Sequence, residues 1–122
     1  MITELVLAAA VVLSGRTDEG RPVRVETTGS RVTRVKGSVL TYECDDFGDV
    51  GPLRFDVRVR ARAKARTGRF SFVTGDRAER VGVAGYLRDD GTARGRIRVT
   101  GTIATGQRCE SDIVRFRAKP RR

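Results

Sequence analysis

The chain has 122 residues, with 25 Lys and Arg against 15 Asp and Glu, a net charge of +10, and neither His nor Trp. That length supports one domain with one core. The absence of His removes the usual general base and metal ligand near neutral pH, and it excludes Ser-His and Cys-His nucleophiles.

The N-terminus reads MITELVLAAAVVL. Its nine-residue apolar run, 5–13, has the length of a signal-peptide h-region, although Glu4 stands where an n-region carries Lys or Arg. Residues 1–13 therefore read either as an export leader or as a short N-terminal element of the domain. Residues 11–17 and 21–27 form an expected first hairpin around the turn Asp18-Glu19-Gly20. Residues 31–43 form a longer strand whose alternation breaks at Val39-Leu40, which predicts a bulge near Gly37. A loop follows over 44–52, with Asp45, Asp46 and Asp49 around Phe47 and Gly48.

Residues 53–72 carry the clearest pattern, LRFDVRVRARAKARTGRFSF. Phe55, Val57, Val59, Ala61, Ala63 and Ala65 alternate with Arg54, Asp56, Arg58, Arg60, Arg62, Lys64 and Arg66. Period 2 over this length is a strand with one buried and one wet face. Thr67-Gly68 turns the chain, and Phe70 and Phe72 resume the buried phase. Val81, Val83, Gly85 and Leu87 share one face of the next strand, and Asp89-Asp90-Gly91 is a hairpin turn. Over 92–104, Gly95, Ile97, Val99, Gly101 and Ile103 face inward and Arg94, Arg96 and Arg98 outward. A loop over 105–111 contains Cys109, and residues 112–118 close the fold with Val114 and Phe116 inward. Residues 119–122 read as a frayed basic tail.

The expected class is all-β: an antiparallel β-sandwich or closed barrel of seven or eight strands, with one domain over 14–118. Its core is expected to hold Phe55, Val57, Val59, Phe70, Phe72, Ile97, Val99, Val114 and Phe116. No stretch reaches the roughly 20 apolar residues of a membrane helix. Cys44 and Cys109 suit a single disulfide in an oxidising compartment, the alternative being two buried thiols. Two Cys without His make a poor metal site.

The motifs SGRTDEGRPV (14–23), GRFSF (68–72), VAGYL (83–87), ARGRIRV (93–99) and CESDIVRF (109–116), in that order, give the chain a resemblance. It resembles small exported proteins of unknown function from GC-rich, actinobacterial-type genomes. The resemblance implies an extracytoplasmic β-sandwich with a disulfide, and it implies no chemistry.

Two readings compete for the charge. Of the 25 basic residues 22 are Arg, a bias that a GC-rich genome produces on a merely solvated surface. The functional reading is an anion-binding face built from Arg58, Arg60, Arg62, Lys64 and Arg66, joined by Arg94, Arg96 and Arg98 if the two strands lie side by side. Because the aromatics fall on the buried phase, that face suits an anionic envelope polymer better than nucleic acid, whose bases stack on exposed rings. Asp45, Asp46 and Asp49 read as turn residues, a weak Ca²⁺ site being the alternative. The sequence thus points to a secreted or envelope-associated, non-enzymatic binding or structural domain without a cofactor. Its competitors are a cytoplasmic nucleic-acid-binding barrel and an enzyme acting on an anionic substrate.

Overall fold

The alternation of apolar and charged residues is realised as strands along most of the described residues. A computed structural model describes residues 10–29, 31–59, 68–103 and 106–120. The strands are β1 (Ala10–Thr17), β2 (Pro22–Thr28), β3 (Arg31–Val39), β4 (Glu43–Cys44), β5 (Gly48–Asp49) and β6 (Leu53–Arg58). They continue with β7 (Arg69–Gly75), β8 (Arg80–Leu87), β9 (Ala93–Thr102), β10 (Arg108–Glu110) and β11 (Val114–Pro120). The eleven exceed the seven or eight expected because three short ones, β4, β5 and β10, form in segments read as loops.

All described strands belong to one antiparallel sheet. Its long strands run in the order β7-β8-β9-β11-β1-β2-β3-β6. Thr100 pairs with Arg80 on one side and with Glu110 on the other, so β10 shares with β11 the edge of β9 opposite β8. Between β10 and β11 one extra residue enters the strand, since Glu110 opposes Thr100 but Val114 opposes Ile97. The backbone of Val99 stays satisfied across this break: its N–H donates to Ser111 Oγ and its carbonyl accepts from the Ser111 N–H. The bulge resets the phase, so Ile113 faces solvent and Val114 is buried. Among the described residues no ladder joins β6 to β7, so the sheet is open rather than closed into a barrel.

One face of this sheet is buried. Val25, Val35, Phe55 and Val57 from one end and Val83, Ile97 and Val99 from the other belong to a single core cluster. With no helix among the described residues to cover them, the sheet must curl so that its own strands pack across the core. A row of paired residues crosses the interior from β7 to β1: Phe70, Gly85, Gly95, Phe116 and Thr17. The Phe116 ring occupies the space a side chain at Gly95 would need; a Cβ there would lie 2.7 Å from the ring and 2.5 Å from the Ala84 carbonyl oxygen. Gly15 allows a similar close approach of β1 to the Arg117 carbonyl.

Several expectations need correction. The bulge lies at Thr33 rather than Gly37: Glu26 opposes Arg34 while Thr27 opposes Val32, and Gly37 pairs regularly with Phe55. The extra residue there restores Val35, three positions after Val32, to the inner face. The third strand ends at Val39, and the chain then leaves for the β4–β5 hairpin. Val59 and Phe72 pack against the core without being fully buried, whereas the other seven expected core residues are buried. The sheet extends beyond 14–118 at both ends. Ala10–Leu13 opens β1, with Leu13 only 1% exposed, and Lys119 and Pro120 pair with Ser14 and Leu13 instead of fraying. Residues 60–67, expected to complete the long Arg-bearing strand, lie outside the described residues.

Cys44 and Cys109 are bonded, with their Cα atoms 4.0 Å apart and in direct register between β4 and β10. The Asp45 N–H donates to the Arg108 carbonyl, which makes this a non-hydrogen-bonded pair, the closer of the two antiparallel spacings. The bond staples the β4–β5 hairpin, whose ladder to the rest of the sheet has only two residue pairs. It closes a separation of 65 residues. Replacing both cysteines by Ala should therefore cost roughly 4 kcal/mol in the chain-entropy account, read by chemical denaturation against the oxidised parent. Gly95→Ala should cost about 1–3 kcal/mol through overpacking. A stability equal to the parent's would show that the Phe116–Gly95 contact is slack.

Candidate anion-binding face

The two sets of Arg residues share a face only if their strands lie side by side. In the sheet, β6 and β9 are separated by β11, β1, β2 and β3, so Arg58 does not neighbour Arg94, Arg96 or Arg98. Arg60, Arg62, Lys64 and Arg66 lie outside the described residues. The outer face around Arg58 also carries both signs of charge. Arg34, opposite Arg58, grips Asp56 through a fork from Nε (2.7 Å) and Nη2, and its Nη1 lies 3.5 Å from Glu26. This fork holds the Asp56 carboxyl below its ordinary range and raises the Arg34 guanidinium above its own. On β9, Arg98 is likewise paired, with Nη2 2.7 Å from Glu110.

Positive charge gathers instead on β9, β11 and β1. Arg96 stands directly opposite Arg115, and Arg94 directly opposite Arg117. Arg117 in turn faces Arg16 across the β11–β1 ladder. All five side chains are exposed. Among the described residues none of them has an ion-pair partner. Like charges directly opposite on a sheet are destabilising, each pair by some tenths of a kcal/mol. Asp18 lies beside Arg115, its Oδ1 accepting from the Arg115 N–H at 3.3 Å, but it makes no ion pair with these guanidinium groups, and two such pairs side by side make a surface that an external anion would relieve.

The next position in the same outer row is Tyr86, opposite both Arg94 and Arg69. It is 51% exposed, and the Arg69 guanidinium sits 5.3 Å from its ring centroid. The outward phase therefore has an aromatic after all, contrary to the expectation that every useful ring is buried. Reading VAGYL for its apolar phase put Val83, Gly85 and Leu87 inside, which already left Tyr86 outside.

The acidic loop serves its own backbone. Asp49 Oδ1 accepts from the Tyr42 N–H (3.0 Å) and the Gly51 N–H (2.8 Å), bonds that hold its carboxyl below the ordinary range. The Asp46 N–H donates to Gln107 Oε1, and Gln107 Nε2 donates to Asp46 Oδ2, each at 2.8 Å. Among the described residues no group of three His, Cys, Asp or Glu is arranged to hold a metal ion. Burial raises the Tyr42 hydroxyl's pKa, with the Glu79 charge adding to it.

Several concavities border the basic face, among them one of about 610 Å³ lined by Tyr86, Arg88, Asp89 and Arg94. At the far end of β9, a cleft of about 1000 Å³ is lined by Arg80, Arg98 and Arg108 together with Glu43 and Glu110, over Thr100. Its charges are mixed. At the near end, a smaller one of about 330 Å³ opens beside Arg94 and Arg117. Compared with protein-family models, curated proteins and solved structures, the chain matches none.

Asp56 offers a test of the charge assignment on β6. Its folded carboxyl titrates below the unfolded value near 4, so the ionised form adds stability above about pH 4, lost as pH falls through the lowered folded value. Asp56→Asn should accordingly lower the Tm at pH 7, and lower it progressively less as pH falls through the lowered folded value. A Tm difference that persists undiminished at low pH would mean that the Arg34 fork is not its source.

Proposed function

We propose that this chain is a non-enzymatic binding domain, secreted or held at the cell envelope, whose β9–β11–β1 face takes an anionic polymer. The observation that carries the reading is the register Arg96 to Arg115 and Arg94 to Arg117, extended by Arg16, without an ion-pair partner among the described residues. Arg residues two apart on one strand repeat at about 6.6–7 Å, and neighbouring strands lie about 4.8 Å apart. Such a grid meets a chain that carries one charge per repeat unit better than it meets a small neutral ligand. Guanidinium forks bind phosphate, sulfate and carboxylate in two-point fashion. The Cys44–Cys109 disulfide is compatible with an extracellular location.

Tyr86 favours a second reading, a single-stranded nucleic acid, because an exposed ring beside Arg69 and Arg94 is a stacking platform. One ring supports one base, whereas a sheet that tracks an extended strand needs several, so the charge grid remains the stronger indication.

Retention on immobilised heparin across a salt gradient tests the polymer reading. Replacing Arg94, Arg96, Arg115 and Arg117 by Gln should move elution to markedly lower salt, because each neutralised contact removes a released counterion. Replacing Arg54, Arg77, Arg80 and Arg108 removes the same charge elsewhere and should move it less. Equal shifts would reduce the face to net charge. Tighter retention on single-stranded DNA than on heparin, lost with Tyr86→Ala, would replace the first reading by the second.

A further inference from the structure

At Ala93 strand β9 ends, but β11 and β1 run on, with Lys119 opposite Ser14. The β8–β9 turn folds back beside this extension, its Gly91 lying close to the Pro120 ring. Between turn and ladder lies the concavity of about 330 Å³, lined by Arg88, Arg94, Arg117 and Lys119 with Ser14 and one acid, Asp90. Asp90 is committed to the turn: its Oδ1 accepts from the Thr92 hydroxyl at 2.6 Å and from the Thr92 N–H at 2.9 Å. Four cations against one carboxylate leave three positive charges in excess around one small space. Arg94 and Arg117 belong both to this notch and to the polymer face, so the two are continuous.

We propose that the notch is an end-group socket for a phosphomonoester, holding the terminal phosphate of an anionic chain whose body lies along β9 and β11. This rests on the polymer reading above and deepens it. The charge match distinguishes the terminus from the interior of such a chain. A phosphomonoester carries close to two negative charges at pH 7 and three strong acceptor oxygens, whereas an internal diester or a carboxylate carries one. Two guanidinium forks, a third Arg, an ammonium and a hydroxyl supply the donors three oxygens require. The face beyond Arg94 and Arg117 carries opposed Arg pairs and the exposed Tyr86, and suits the singly charged repeats.

Glycerol 3-phosphate and its methyl diester are the probes, titrated into ¹⁵N-labelled full chain and followed by NMR. The monoester should bind at least tenfold tighter than the diester, and its affinity should rise between about pH 5 and pH 7 as the second proton leaves. Arg88→Gln with Lys119→Gln should weaken monoester binding tenfold or more, while Arg77→Gln with Arg108→Gln, equal in charge and remote, should not. The first pair lies outside the grid of Arg94, Arg96, Arg115 and Arg117, although Lys119 shares β11 with it, so heparin retention should fall much less than with that quadruple variant. Replacing Arg96 and Arg115 by Gln should do the reverse, sparing the monoester while heparin elutes early. Equal affinity for monoester and diester, no binding of either, or equal losses from the two double variants would overturn the socket. Failure of heparin retention alone, with monoester binding intact, would instead overturn the polymer face.

Discussion

A single sheet with one apolar face has no partner layer, so it must curl until its own strands cover one another. Everything else in this molecule follows from that constraint. Curling brings the interior positions of distant strands into one cluster, in which Leu13, Val25 and Val35 share a core with Ile97 and Val99. It also sets the size of the inner side chains. The row Phe70, Gly85, Gly95, Phe116 places two rings at its flanks and two glycines between them, so the rings fill what the glycines leave. The outer face is stretched over the same curve and carries nearly all the charge.

Over the described residues that division was legible in several stretches where period 2 held. Gly95, Ile97 and Val99 against Arg94, Arg96 and Arg98 could be assigned to faces from spacing alone, and so could Val114 and Phe116 against Arg115 and Arg117. Turn chemistry located the hairpins at Asp18-Glu19-Gly20 and Asp89-Asp90-Gly91. What periodicity does not encode is an inserted residue. At Thr33, and again between Glu110 and Val114, one extra residue shifts the phase, and nothing in composition tells such a bulge from a break at a glycine. Two-residue strands such as β4 and β5 are too short to show a period at all.

The candidate site was legible only in half. Spacing places Arg94 and Arg96 outward but leaves open whether the Arg-bearing strand at 53–66 lies beside them. Strand order decides that it does not, and strand order depends on pairings far apart in the chain. Arg96 meets Arg115, and Arg16 joins through a ladder between the first and last described strands. Asp56 and Glu26, which temper the β6 face by holding Arg34, are visible in the sequence as single acids among bases, yet their common partner emerges only from the register.

The position of β11 carries a consequence for how the molecule is made. It follows every other strand in the chain, yet it lies in the middle of the sheet, bonded to β9 on one side and β1 on the other. During synthesis the meander β1-β2-β3 and the meander β7-β8-β9 can each form as their residues emerge; among the described residues only the short β4–β10 ladder links them before 114–120 arrives. Closing that gap pairs residues about 100 positions apart, such as Arg16 with Arg117, and such long-range closure is slow relative to local hairpins. Among the described strands the β11 pairings are therefore the last that the order of synthesis allows.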